Sequence, residues 1–333
     1  MMDTDFHNTI FDVVSIGSAT LDVTLKSEKF QLIEHDGKTV LCQVYDQKID
    51  IDQVALSSGG AGTNTSVGFS RQGFKAACIA EVGHDIASEA ILRELERENV
   101  DWRMIVRESD EDTGVSALLI SSDGARTALV HRGASRMLDT TDIHWDGFKT
   151  KHLHLSSVGS EGMIERVMEY CRANNTSLSW SPGNWEIEQV ASGAVTLEWP
   201  ERSLLIMNRE EFARFTSLDY MNDELWASDW RFAGPELVIV TDGSRGGVVQ
   251  DNSSNKVFRF EAERVDVVQE TGAGDAFASG FVSSWLRGKS LEEATDLGKK
   301  NAASVVSHMG AKTGLLRASR EDVPISLDNS IQS

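Results

Sequence analysis

Three stretches of the chain combine residue types that could hold and transfer a charged group. The first is Thr271-Gly272-Ala273-Gly274-Asp275-Ala276-Phe277, with the β-branched run Arg264-Val265-Asp266-Val267-Val268 before it and Phe281 and Trp285 after it. The run reads as a strand. Phe277, Phe281 and Trp285 recur every four residues and so share one face of a helix. Strand, glycine turn and helix start together make an anion site, because free amide N–H groups converge there and the helix dipole adds positive character. Asp275 falls in the first helical turn. It is either the base of a phosphoryl transfer or a helix cap, and the stretch alone supports both. The second stretch, Ser57-Ser58-Gly59-Gly60-Ala61-Gly62-Thr63-Asn64, has three glycines in four residues, which lets backbone approach a ligand closely. The third, Thr241-Asp242-Gly243-Ser244-Arg245-Gly246-Gly247, follows a buried apolar run, Glu236 to Thr241.

The elements that must position these stretches alternate. Phe11 to Gly17 reads as a buried first strand, and Asp22 comes five residues after it. Between Lys26 and Leu56 the pattern changes to short alternating runs, Thr39 to Tyr45 and Ile49 to Ile51, with Asp36-Gly37 as a hairpin turn. Helices are predicted over 65–72, 86–98, 161–174, 210–215 and 291–307, and strands over 76–80, 102–106, 152–156, 177–180, 204–207, 247–250 and 256–260. Ser116 to Ile120 and Thr127 to Val130 form a second hairpin across Ser122-Asp123-Gly124, which could complete the small sheet begun by residues 26–56. Strand–helix alternation implies an α/β fold with a mostly parallel sheet covered by helices on both sides. Ligands in such folds gather at the carboxyl ends of strands, where the glycine clusters fall.

Composition narrows the function further. With 333 residues, 40% hydrophobic and 25% charged, the chain is that of a globular protein. Its formal charge of −20 leaves no basic footprint for nucleic acid or an anionic membrane surface. Three scattered cysteines, Cys42, Cys78 and Cys171, show no zinc spacing and read as reduced thiols. Met1 to Asn8 has no basic region of a signal peptide, and no apolar run reaches the length of a membrane span, so a cytoplasmic location is expected. No G-x-G-x-x-G follows the first strand, which argues against a nicotinamide-dependent dehydrogenase.

Taken together and in order, these motifs resemble the ribokinase-like (PfkB-type) carbohydrate kinases, over nearly the whole span from Gly17 to Gly314. The resemblance implies a three-layer α/β/α core over residues 9–318, a β-sheet lid from about 23–56 and 112–135, and a C-terminal tail over 319–333. It implies ATP-dependent phosphorylation of a hydroxyl group on a sugar or sugar-like substrate, with Asp275 as general base and the turn Gly272, Ala273, Gly274 and Asp275 as anion hole. Asp22, Gly59, Gly60 and Asn64 would contact the sugar. Asn208, Thr241, Gly243 and Gly246 would contact the nucleotide, and Glu211, from an N-x-x-E element, would position Mg²⁺ through water. Many members bind an activating monovalent cation through an aspartate just before this turn; here Gln269-Glu270 stands there, which puts potassium dependence in question. A homodimer joined through the lid is expected. A nucleoside kinase on the same scaffold, and a catalytically silent binding protein, are the alternatives.

Overall fold

The computed structural model describes residues 9–121, 126–218 and 232–319. In chain order the elements are β1 (Ile10–Ile16), β2 (Thr20–Lys26), β3 (Gln31–His35), β4 (Lys38–Cys42), β5 (Gln53–Gly59), α1 (Ala61–Arg71), β6 (Ala76–Ile79), β7 (Glu81–Val82), α2 (Ile86–Arg97), β8 (Val106–Arg107), β9 (Gly114–Ile120) and β10 (Arg126–His131). The second half adds β11 (Lys149–Leu155), α3 (Met163–Ala173), β12 (Ser177–Trp180), α4 (Asn184–Ala191), β13 (Ser203–Asn208), α5 (Arg209–Thr216), β14 (Leu237–Thr241), β15 (Gly247–Asp251), β16 (Lys256–Phe260), α6 (Ala273–Leu286) and α7 (Leu291–Val306).

The main sheet has eight strands in the order β16-β15-β14-β13-β12-β11-β1-β6, all running one way except β15, which pairs antiparallel with β14 and β16. Its strands read as continuous apolar runs because both faces are covered. Residues alternate between two cores: Phe11, Val14, Trp180 and Phe212 pack on one face, and Val13, Phe69, Phe281 and Trp285 on the other. The strand order turns at β1, whose chain continues to β6 on one side while β11 lies on the other. A crevice at the carboxyl end of β1 is therefore the default ligand position. The α/β architecture expected from the alternation, a mostly parallel sheet covered on both faces, is the one present.

A second sheet of four strands, β10-β9-β2-β5, stands apart from the main one, and β3 and β4 form their own hairpin around Asp36-Gly37. The small sheet is thus built by residues 20–26 and 53–59 on either side of the hairpin, rather than by the hairpin itself. Other expectations also need correction. Arg264 to Val268 forms no strand: Val265 and Val267 face solvent and the Val268 N–H bonds the Val306 carbonyl at 2.8 Å, outside any ladder. Trp102 to Ile105 is a turn closed by Ile105 N–H to Trp102 O at 2.9 Å, with only Val106–Arg107 paired. Ile49 to Ile51 is irregular, and α4, beginning at Asn184, is a helix the sequence patterns did not predict. The Ser122-Asp123-Gly124 turn and residues 320–333 of the tail lie outside the described residues. Among the described residues, no helix is long and apolar enough to cross a membrane.

Candidate active site

Helix α6 is entered through its N-cap Gly272, whose φ of 83° is left-handed. An added Cβ there would sit 2.7 Å from the Ala311 Cβ, so the turn needs glycine on two counts. No side chain caps this helix. Asp275, at the third helical position, points elsewhere: its Oδ2 accepts a hydrogen bond from Asn64 Nδ2 at 2.8 Å. The cap alternative for Asp275 therefore does not describe its carboxylate. In the turn itself, the Ala273 N–H is directed to the Glu270 carbonyl at 3.2 Å. The N–H groups of Gly274 and Asp275 meet no protein acceptor among the described residues, and a Cβ on Gly274 would project into open space. The Gly272 N–H likewise meets no protein acceptor among the described residues, so these three amides are available to an anion while that of Ala273 is engaged.

Asn64 arrives from the other glycine loop. Helix α1 begins at Ala61, earlier than its sequence pattern suggests, so Gly62, Thr63 and Asn64 already lie in its first turn. Gly59 ends β5 directly beside Asp22 on β2. Any side chain on Gly59 would collide with the Asp22 carboxylate, so glycine there admits the acid. Asp22 is buried, with Thr20 Oγ1 donating to it at 3.4 Å. Burial raises its pKa, opposed by Lys312 and by hydrogen bonds from Ser116 and Thr20. Burial likewise raises Asp275, against the Asn64 amide and the Lys312 charge.

Lys312 ties these groups together, and sequence reasoning passed over it. The residue is 2% exposed, and its ammonium donates to the Ser58 carbonyl, to Thr63 Oγ1 at 3.0 Å and to Asn64 Oδ1 at 2.9 Å. Desolvation lowers its pKa, while Glu94, Asp22 and Asp275 pull it back up. Its only sequence signal is a lysine set in Gly310-Ala311-Lys312-Thr313-Gly314 after the last helix. Just before α6, Gln269 is buried and its Oε1 accepts the Gly310 N–H at 2.9 Å, which pins the Lys312 loop.

The elements expected to contact the nucleotide sit on adjacent strands, with Asn208 and Thr241 in register across β13 and β14. Asn208 and Glu211 form a reciprocal capping box at the start of α5, each bond at 2.9 Å. Glu211 Oε2 is used in that box, and Oε1 has no protein hydrogen bond among the described residues. Burial raises the Glu211 carboxyl, and the charge of Asp275 adds to the shift. The two acids therefore lie within electrostatic reach of each other. One free carboxylate oxygen in a place with no three-residue ligand cluster, among the described residues, fits a hard cation held mainly through water and phosphate. The loop after β14 is closed by Asp242 N–H to Gly246 O at 2.7 Å, with a 3₁₀ turn over Gly243–Arg245. Asp242 also pairs with buried Arg209 at 3.3 Å and with Arg245 at 2.9 Å, joining this loop to the residue after Asn208.

Over residues 11–318 the sequence matches the pfkB family carbohydrate kinase profile. The chain belongs to the pfkB family. This pfkB kinase is 29% identical over 255 residues to an uncharacterized sugar kinase of Archaeoglobus fulgidus, covering 76% of this chain and 99% of that one. It is 24% identical over 304 residues to a nucleoside kinase of Methanocaldococcus jannaschii, covering 91% and 93%. Its fold superposes on an Arabidopsis thaliana ribokinase complexed with ribose and ATP with a TM-score of 0.72 at 19% identity, over 95% of this chain and 98% of that one. The protein is thus an enzyme, a kinase of the sugar and nucleoside class.

Proposed function

We propose that this pfkB kinase transfers the γ-phosphoryl group of ATP to a hydroxyl of a sugar or sugar-like acceptor, with Asp275 as general base. The observation that carries this reading is the 2.8 Å bond from Asn64 to Asp275, which joins residues 211 positions apart. It brings the paired-glycine element and the glycine turn of α6 to one point. The acceptor would lie between Asp22 and Asp275, held by the Asp22 carboxylate and the second N–H of Asn64. Asp275 would take the hydroxyl proton as that oxygen attacks the γ-phosphorus and the bond to the leaving ADP oxygen breaks. The N–H groups of Gly274 and Asp275 would face the charge that develops on the transferred group. Asn208, Thr241, Gly243 and Gly246, on neighbouring strand ends, would line the nucleotide. Glu211 Oε1 would hold hydrated Mg²⁺, which would neutralise phosphate charge when bound. The four-stranded sheet would act as a lid that excludes water as a competing acceptor.

A nucleoside acceptor is the second reading, favoured by the Methanocaldococcus relative. An ADP-release screen of the wild-type enzyme with ATP and Mg²⁺ over pentoses, hexoses, ketoses, deoxy-sugar acids and nucleosides separates them. The expected result is acceptor-dependent ADP release with a sugar or sugar acid. Release with nucleosides alone would shift the assignment to a nucleoside kinase, and no release with any acceptor would leave a silent binding protein.

A further inference from the structure

Lys312 is a fully buried cation whose direct partners are all neutral oxygens: the Ser58 carbonyl, Thr63 Oγ1 and Asn64 Oδ1. Its backbone is held as firmly as its side chain. Arg71 donates to the Lys312 carbonyl at 2.7 Å, and Gln269 holds Gly310 two residues earlier at 2.9 Å. An ammonium can only donate hydrogen bonds. The Asn64 atom facing it must therefore be the carbonyl oxygen, which turns the amide nitrogen away from Lys312 and towards Asp275. Asn64 Nδ2 then occupies Asp275 Oδ2 at 2.8 Å, while Oδ1 has no protein hydrogen bond among the described residues. The lysine thus decides which oxygen of the carboxylate is left for chemistry.

We propose that Lys312 is a positioning residue for phosphoryl transfer: through Asn64 it presents Asp275 Oδ1 to the acceptor hydroxyl. This rests on Asp275 being the base. The groups around the pair are few and mostly acidic. Asp22 on β2, Glu94 on α2 and the Cys78 thiol on β6 interact with Lys312, and Glu211 on α5 faces Asp275. Lys312 is the cation among them. Removing it leaves Asp22, Glu94 and Asp275 without that counter-charge and frees Asn64 to rotate about its side chain. Asp275 then holds its proton to higher pH, and the acid limb of the rate profile moves up.

The test is the pH dependence of kcat, with KM for ATP, in Lys312→Gln and Lys312→Met. Glutamine keeps an N–H donor for Asn64 but no charge; methionine keeps neither. The Lys312 charge lowers the Asp275 pKa, so the acid limb is expected to shift to higher pH in both variants. Methionine should also lower the plateau kcat by about tenfold or more through loss of orientation, with glutamine closer to wild type and KM for ATP unchanged in both. Folded variants with a wild-type acid limb overturn the proposal. So does failure of both variants to fold, checked by circular dichroism, since Lys312 would then be a folding residue. Asp275→Asn distinguishes the failures: if it retains turnover the base assignment itself falls. If it is inactive while the Lys312 variants keep the wild-type profile, only the role of Lys312 falls.

Discussion

At the scale of single residues, the site depends on what is missing as much as on what is present. Gly59 leaves room for the Asp22 carboxylate, and an added methyl group would overlap it. Gly59→Ala should push Asp22 out of place, raising KM for the acceptor by about tenfold while leaving KM for ATP unchanged, because one misplaced hydrogen bond to a charged group costs about 1.5–3 kcal/mol. Steady-state kinetics in both substrates check this, and an unchanged acceptor KM would remove Asp22 from the acceptor site. Glu211 Oε2 caps α5, while Oε1 has no protein hydrogen bond among the described residues and would be the oxygen for the proposed cation. Asp22, Gly59, Asn64 and Asp275 stand in or beside glycine-rich local patterns, and the fold brings Asn64 to Asp275 and Gly59 to Asp22. Lys312 was not legible in the sequence, since its side chain turns inward only once β5, α1 and the last loop are assembled around it.

At the scale of elements, β11 carries two histidines into the core. His152 bonds Ser177 at 2.8 Å and Ser179 at 2.7 Å, and His154 bonds Ser179 at 2.7 Å. Phe69 of α1 meets both rings edge-on, and Trp285 of α6 meets His152. Burial pulls His152 well below its ordinary value and His154 down to about 3. Both are therefore neutral in the fold and protonated in the unfolded chain below pH ~6.5. The unfolded state binds the extra protons, so stability is full above that pH and falls as pH drops from ~6.5 towards 3. Each histidine should contribute a slope of about 1.4 kcal/mol per pH unit. Urea unfolding of wild type and His154→Asn between pH 6 and 4.5 should show a slope smaller by about that amount in the variant; equal slopes would contradict the assignment. The alternation of strands and helices was readable from local patterns, while Arg264 to Val268 was misread. A β-branched run has strand propensity, but a strand also needs a neighbour to pair with, and none is offered to this one.

At the scale of the molecule, the four-stranded sheet has two unlike faces. Paired residues share a face, so Asp22, Ser57 and Ser116 lie together on one side. Val23 and Leu25 lie on the other with Leu56, Val54, Ala117 and Leu119, and Leu129 joins them opposite Ala117. Val54, Leu56 and Leu129 are each about 60% exposed on this side. The homodimer expected through the lid would join two copies of the chain across this apolar face. The formal charge of −20 makes such a pairing dependent on apolar contact rather than on general electrostatic attraction. Sedimentation equilibrium is expected to give a dimer for the wild type and a monomer for Leu56→Glu/Leu129→Glu; a monomeric wild type would contradict it.

The central claim is that Asp275 removes the acceptor proton, and Asp275→Asn tests it most directly. Asparagine keeps the shape but cannot act as the base, so turnover with the acceptor found by the screen should fall by about 10²–10⁴, with ATP affinity by calorimetry close to wild type. Turnover within a few-fold of wild type, in a variant that still binds ATP, would contradict the account.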